Sequence, residues 1–319
     1  MTSRFVSRTD SERLDTDIGA GGGVWFSRQL EMIEQRILRA KRPPQNGLAY
    51  FAVKGDVPEG AETFTRRMYE HTGQAKMVGS YSDDLPSAHV SAMPEESVKL
   101  KRVGASFSYN IDELAAVDMA QRNGQTIDLP TERGIAARTM IEEKLNDVVW
   151  NGSAEAGLYG VLNHPGVPRL NLLVASTAAH DTVFAAVAGA FQQIKSNTRG
   201  VEKPNRIILS EKVYNLLQVK LRTNTDTTLL DILAKSVNIP RTNILDAWEL
   251  DAAGDGGFDA MICDRKDELV MAHVISVLFR QEPVERQNLS YKINCTAKSG
   301  GMMASYPHGM LVASFSNAL

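Results

Sequence analysis

Ser153 and His164 are the first residues to test for chemistry. They lie in the stretch 150–167, WNGSAEAGLYGVLNHPGV, which follows an apparent helix and is rich in glycine and proline. A serine becomes a nucleophile when a base such as histidine takes its proton and a third group orients that base. The stretch lacks the Gly-x-Ser-x-Gly pattern that presents a nucleophile on a strained strand-to-helix turn. A structural reading competes. Asn151-Gly152 is an apt helix terminus, Gly160 lets backbones approach closely, and His164-Pro165-Gly166 is a tight loop. On that reading Leu158, Val161 and Leu162 pin the turn to a core, and neither Ser153 nor His164 has a chemical role.

Other chemistries have weaker footing. The six histidines, His71, His89, His164, His180, His273 and His308, have no partner at metal-ligand spacing. Cys263 and Cys295 form no CxxC pattern, and two cysteines in 319 residues suit a reducing compartment. Glu142 and Glu143 are neighbours on a helix, about 100° apart, and so do not face one another as an acid/base pair. Lys99 and Lys101 would point the same way on a strand; they could meet phosphates, or keep a long exposed strand from aggregating. GAGGGV at 19–24 is no dinucleotide fingerprint, because no buried strand precedes it. The sequence therefore offers no catalytic, cofactor-binding or metal site.

The composition is that of a soluble globular protein: 43% hydrophobic, 23% charged, net charge −3. No basic tract exceeds two residues, which argues against a surface devoted to wrapping nucleic acid but not against a shell enclosing it. The first residues, MTSRFVSRTDSERLDTD, lack an apolar core, so no signal peptide is expected, and no apolar run is long enough for a membrane span.

The elements that would position these residues follow from periodicity. Residues 1–24 read as a polar, then glycine-rich arm. Phe26, Leu30, Ile33 and Ile37 form one helical stripe that must dock on something distant, and Lys41-Arg42-Pro43-Pro44 ends it. Residues 60–110 read as a projecting two-stranded ribbon with mixed faces, which cannot stabilise itself alone. A short helix is expected from Asn110 or Asp112 to a stop at Gly124. The longest helix is expected over 129–151, with Pro130 in its first turn and Ala137, Ile141, Leu145, Val148 and Val149 on one face; at 1.5 Å per residue it is a rod of roughly 30–35 Å. Residues 176–276 alternate as an α/β unit. It has helices at DTVFAAVAGAFQQIKSN, SEKVYNLLQV (opened by a serine cap) and TTLLDILAKSV, and strands at NRIILS, FDAMICD and LVMAHVI. The remainder is β: LSYKINCTA has period two, Gly300-Gly301 is expected to turn the chain, and GMLVASF ends it as a strand.

This order of parts resembles the major capsid proteins of tailed phages, the Hong Kong 97-type shell fold that encapsulins share. The similar segments are EGAETFTRRMYEHTGQAKMVG (59–79), VGASFSYNIDELAAV (103–117), AARTMIEEKLNDVVWNGSAEAGLYGVLNHPGV (136–167) and SGGMMASYPHGML (299–311). Each is loose by itself; their order and spacing carry the resemblance, which spans about residues 25–319.

The resemblance implies an α+β chain divided into an N-terminal arm and docking helix (1–45), an extended β-ribbon loop (46–110), a peripheral domain with the spine helix (111–175), an axial α/β domain (176–276) and returning peripheral strands (277–319). It implies a subunit of an icosahedral phage head around double-stranded DNA, found in the virion after assembly in the host bacterial cytoplasm. Its partners would be copies of itself in pentamers and hexamers, then decoration, scaffold and portal proteins, with packaged DNA contacted non-specifically and no membrane. Expected interface residues are Phe26, Leu30, Ile33, Ile37, Phe64, Arg66, Met68, Lys99 and Lys101; Gly152, Gly157, Gly160 and Pro165 would shape the turn. Some family members join a ribbon lysine to a neighbour's asparagine with a glutamate as base. Lys99 and Lys101 are the candidates here, but no partner is specified, so no crosslink is expected. Two other readings stay open: an encapsulin-like compartment, told apart by its contents, and an enzyme on the α/β unit, with a polar pocket at its strand ends.

Overall fold

A computed structural model describes residues 41–82, 84–122, 129–172, 180–221 and 226–315. The arm, the stripe of Phe26, Leu30, Ile33 and Ile37, and the expected stop at Gly124 lie outside the described residues. Contacts group the chain into two units, Met1–Pro43 with Asp112–Asp128, and Pro44–Ile111 with Leu129–Leu319.

From Pro44 the chain forms α1 (Gly47–Tyr50) and β1 (Ala52–Lys54), then a ribbon of β2 (Thr63–Arg66), β3 (Tyr69–Thr72), β4 (His89–Ala92) and β5 (Glu96–Lys99). Next come β6 (Lys101–Asn110), α2 (Ile111–Arg122), the spine α3 (Leu129–Asn151), β7 (Arg169–Leu172) and α4 (His180–Asn197). They are followed by β8 (Arg206–Ser210), α5 (Glu211–Val219), α6 (Leu229–Val237), β9 (Ile244–Ala247) and β10 (Ala260–Asp264). The last strands are β11 (Ala272–Gln281), β12 (Glu285–Gln287), β13 (Ser290–Met303) and β14 (Met310–Phe315).

Two five-stranded sheets organise the larger unit. In the first, the order is β1-β11-β13-β12, with β6 paired to β13. The alternation Val103, Ala105, Phe107, Tyr109 on β6 and Ile293, Cys295, Ala297 on β13 turns one apolar face toward the spine, where Ala137, Ile141 and Leu145 meet it. The second sheet runs β7-β14-β10-β8-β9. Both its faces are covered: Ile207, Leu209, Met261 and Cys263 pack toward α4, α5 and α6, while Ile208, Ala260 and Ile262 pack toward the spine's end. Burial on both faces explains why these strands read as continuous apolar runs. The Ser210 side chain caps α5, accepting from the Val213 amide at 3.3 Å.

Four expectations are corrected. The ribbon is paired only as β2–β5 and β3–β4; residues 101–110, assigned to it from sequence, instead pair with β13 along their whole length. The physical signal is parity. Val98 and Leu100 are buried at even positions, whereas the inward residues of β6 are odd, and one flat strand cannot change its buried face midway. Second, the run LVMAHVI does not add a strand to the α/β unit: β11 pairs with β1 and β13 in the first sheet. Third, GMLVASF does not return to the peripheral strands but lies inside the second sheet as β14, between β7 and β10. Buried apolar runs have no period that tells one sheet from another. Fourth, Gly300-Gly301 does not turn the chain. β13 runs through both, with a register shift opposite Val274 and Ile275, and Gly301 takes φ +72°.

Candidate interface site

The turn after the spine is a weld between elements. Ser153 and Leu158 exchange two backbone bonds at 2.9 Å, the Val161 amide reaches the Val149 carbonyl at 2.8 Å, and the Met302 amide of β13 reaches the Tyr159 carbonyl at 2.7 Å. Gly160 is required here, since a Cβ would lie 2.4 Å from the Gly152 nitrogen. A Cβ on Gly301 would stand 2.7 Å from the Tyr159 oxygen, and one on Gly300 would crowd Val98 and Leu100 at 3.2 and 3.3 Å. Gly152 and Gly157 take positive φ, and Pro165 is exposed in the following loop. Ala137, Ile141, Leu145, Val148 and Val149 are all buried.

Ser153 and His164 have different partners. The Ser153 hydroxyl faces the Ala156 amide at 3.4 Å. His164 is buried; its Nδ1 accepts from the Gly166 amide at 3.2 Å and its Nε2 stands 3.5 Å from Glu96 Oε1. Glu142 is paired with Arg138 at 2.7 Å on the spine's outer face. Among the described residues, no group of three or more His, Cys, Asp or Glu could hold a metal ion, and no helix is long and apolar enough to cross a membrane.

The ribbon's root is bound to its own subunit. Phe64 packs with Val57, Val98, Leu100, Val274 and Met303. Lys298, buried in β13, donates from Nζ to the carbonyls of Glu59 and Ala61, both at 2.6 Å. Arg66 donates to Ser305 Oγ at 2.6 Å, and Glu96 Oε1 accepts from the Ala304 amide at 2.9 Å. Glu59 bridges Arg280 at 2.8 Å and Arg102 at 2.9 Å, and these guanidiniums hold its carboxyl below the usual range, Arg280 first. Behind the root, His273 is fully buried with Nε2 2.7 Å from Ser299 Oγ; burial pushes its pKa down to about 4.

Beyond the root the ribbon changes character. Every described residue from Tyr69 to Glu95 is exposed, including Met77 at 99% and Tyr81 at 108%. Met68 is half-buried, with its carbonyl accepting from the Met93 amide at 2.9 Å; Lys99 and Lys101 are exposed. Between the root and the turn lies a cleft of about 1030 Å³, lined among others by Met93, Glu96, Tyr159, His164, Val201 and Tyr306. Ser153 is not among its lining residues. Two hydroxyls at its edge are already engaged, Ser305 by Arg66 and Thr198 by the Ile194 carbonyl at 2.8 Å.

Where the chain enters the larger unit, a polar network grips it. Asn146 of the spine accepts from the Gly47 amide at 2.7 Å and donates to Glu249 at 3.1 Å, and Glu249 accepts from Asn46. Trp248 donates to the Pro44 carbonyl at 3.0 Å. Arg206 reaches the Tyr50 carbonyl while forming a buried bidentate pair with Asp264. Sequence reasoning missed Asn146, Glu249, Glu96 and Lys298. Asn146 had a signal, being a polar residue beside Leu145 on the apolar face, as did Lys298, a cation directly after the buried alternation of β13.

No curated protein matches this chain in sequence. Its fold is that of solved phage capsids, the Hong Kong 97-like type. The capsid of Myoviridae phage XM1 superposes with TM-score 0.76 at 15% identity, covering 92% of this chain and 99% of that one. Mycobacterium phage Adephagia gives 0.64 at 13%, covering 98% and 99%. A virus-like particle from Pyrococcus furiosus gives 0.54 at 13%, covering 84% and 91%. The family model described as "Major capsid protein" matches residues 73–313, well over half of the sequence, and this chain therefore belongs to the major capsid protein family.

Proposed function

We propose that this chain is the self-assembling subunit of a tailed-phage head, a structural protein rather than an enzyme, whose shell encloses double-stranded DNA. The observation that carries the reading is the ribbon: a root tied to its own body by Lys298, Arg66 and Phe64, and a tip whose Met77 and Tyr81 stand in water. Apolar side chains held out on a two-stranded hairpin are completed by a neighbour's surface. The spine and its sheet serve as the peripheral domain, and the second sheet with α4 to α6 as the axial domain. Obligate interfaces bury about 2,000 Å² or more in total, and at about 25 cal/mol per Å² even a half-apolar contact of that size gives tens of kcal/mol before entropic costs.

The test is assembly. The purified full-length chain should form megadalton particles, closed and icosahedral by electron microscopy; a stable monomer or small oligomer would overturn the reading. A second reading is an encapsulin-like compartment with protein cargo; the likeness to a virus-like particle from Pyrococcus furiosus fits any closed shell and leaves the contents to be measured. Head particles isolated from infected cells should hold DNA, and a compartment would hold protein instead.

A further inference from the structure

The ribbon is broken where it passes the cleft. Its two short sheets are out of step: Arg66 pairs with Glu96 in the first and Tyr69 with Ala92 in the second, so Arg67 and Met68 oppose Met93, Pro94 and Glu95. An extra residue on one strand bends a hairpin and interrupts its ladder, and Pro94 has no amide to contribute. One backbone bond, from the Met93 amide to the Met68 carbonyl at 2.9 Å, and the exposed Arg67–Glu95 ion pair at 2.8 Å cross the break. Met68 and Met93 line the cleft from the ribbon; Val201 and Tyr306 line it from the body. Val201 is 77% exposed, at the end of a loop in which Arg199 and Gly200 both take positive φ. The loop is fixed, with the Gly200 amide on the Lys195 carbonyl at 2.8 Å and the Val201 amide on the Thr198 carbonyl at 3.0 Å. A non-glycine residue at φ +51° is strained, and here the strain turns an apolar side chain outward. The charges match as well. Glu70 shares the face of Met68 by the two-residue period of a strand, and Arg199 and Lys203 flank Val201. All three are exposed and, among the described residues, in no ion pair.

We propose that in the unassembled subunit the outer ribbon, β3 and β4, swings about this break onto its own cleft, with Met68 and Met93 on Val201 and Tyr306, and Glu70 beside Arg199 and Lys203. The ties on the root side, Arg66 to Ser305 and Glu96 to the Ala304 amide, stay in place, which makes the break the pivot. Met77 and Tyr81 lie farther out along the hairpin and are not part of the contact. A ribbon closed on its own body is withheld from neighbours, so the contact restrains assembly. This rests on the shell reading above and adds a control to it. When only a fraction of the population is competent to bind, the apparent affinity falls by that fraction.

The test traps the closed form in the full chain carrying Met93→Cys and Val201→Cys, oxidised mildly while dilute and unassembled. A disulfide needs Cα atoms about 4.4–6.8 Å apart, so its formation reports closure. The native Cys263 and Cys295 are buried and give little background. On a gel without reductant the 35.0 kDa monomer should run faster, as a looped chain does, while neither single variant shifts. The trapped chain should make no particles until reductant is added. Thiols that stay free under oxidation overturn the closure, and a trapped chain that assembles at the wild-type rate overturns the restraint. If the wild-type chain makes no particles the shell reading falls, while the disulfide still reports the closure. A second measurement needs no trap: spin labels on Glu70→Cys and Lys203→Cys in the unassembled chain should show a population closer together than the open structure allows. High salt should shrink that population, because exposed charge pairs are screened. A single distribution at the open distance, unmoved by salt, overturns the proposal.

Discussion

The two ends of one hairpin differ in what completes them. At the root, a buried lysine spans two carbonyls, an arginine meets a serine, and Phe64 fills a small apolar cluster, all within one chain. At the tip, strands with equally ordinary sequences leave every described side chain from Tyr69 to Glu95 exposed. The root behaves as part of a folded domain, so its substitutions should register as stability. On the proposed function the tip belongs to an interface, so its substitutions should register as assembly.

The top of the stability scale lies in the body itself. Arg206 and Asp264 are both buried and face one another across β8 and β10. Asp264→Ala leaves an uncompensated guanidinium and should cost about 3–5 kcal/mol in denaturant unfolding. The root should come next. Lys298→Ala strands the carbonyls of Glu59 and Ala61 under a buried cluster, and should cost about 2–4 kcal/mol. A cost near zero would show that the root is no more a part of the domain than the tip is.

The third effect is a pH dependence behind the root. Burial holds His273 neutral, with its pKa near 4, while the unfolded chain protonates it near the ordinary 6.5. The unfolded state therefore binds more protons between these values. The contribution is fully present above about pH 6.5, falls as pH drops toward 4, and levels off below, for a total of roughly 3 kcal/mol. Other groups titrate in the same range, so the measurement is the difference between wild type and His273→Asn across that window. Equal pH slopes in the two proteins would show that His273 does not stay neutral in the fold.

Much of the body was legible because its signals are local. The spine expected over 129–151 is helix α3, with its apolar face against β6 and β13, because a proline in the first turn and Asn-Gly at the end bracket one amphipathic stripe. Ser210 capped the helix expected of it. The strands β11 and β14 went to the wrong sheets because buried apolar runs carry no period, and their pairings with β1 and β7, each across more than a hundred residues, leave no local trace. The end of the ribbon was readable in principle, since the inward positions switch from Val98 and Leu100 to Val103 and Ala105. Lys99, Arg102 and Lys101 obscured the switch by supplying charge on both parities. The root cleft had no sequence signature at all: Glu96, Tyr159, Val201 and Tyr306 come from four separate loops or strand ends.

The smallest effect on stability should come from the tip, and it sharpens the comparison most. Met77→Ser and Tyr81→Ser each remove an apolar group that touches almost nothing in the isolated subunit. Surface substitutions away from caps and buried networks leave folding nearly unchanged, so thermal unfolding of the unassembled variants should overlay the wild type. Assembly followed by light scattering should fall, and more for the double variant than for either alone, because each loses burial at every copy of a repeated contact. The opposite pattern, a lowered melting point with normal particles, would mean that the tip packs on its own body in solution. The division between root and tip would then be a property of the extended conformation alone.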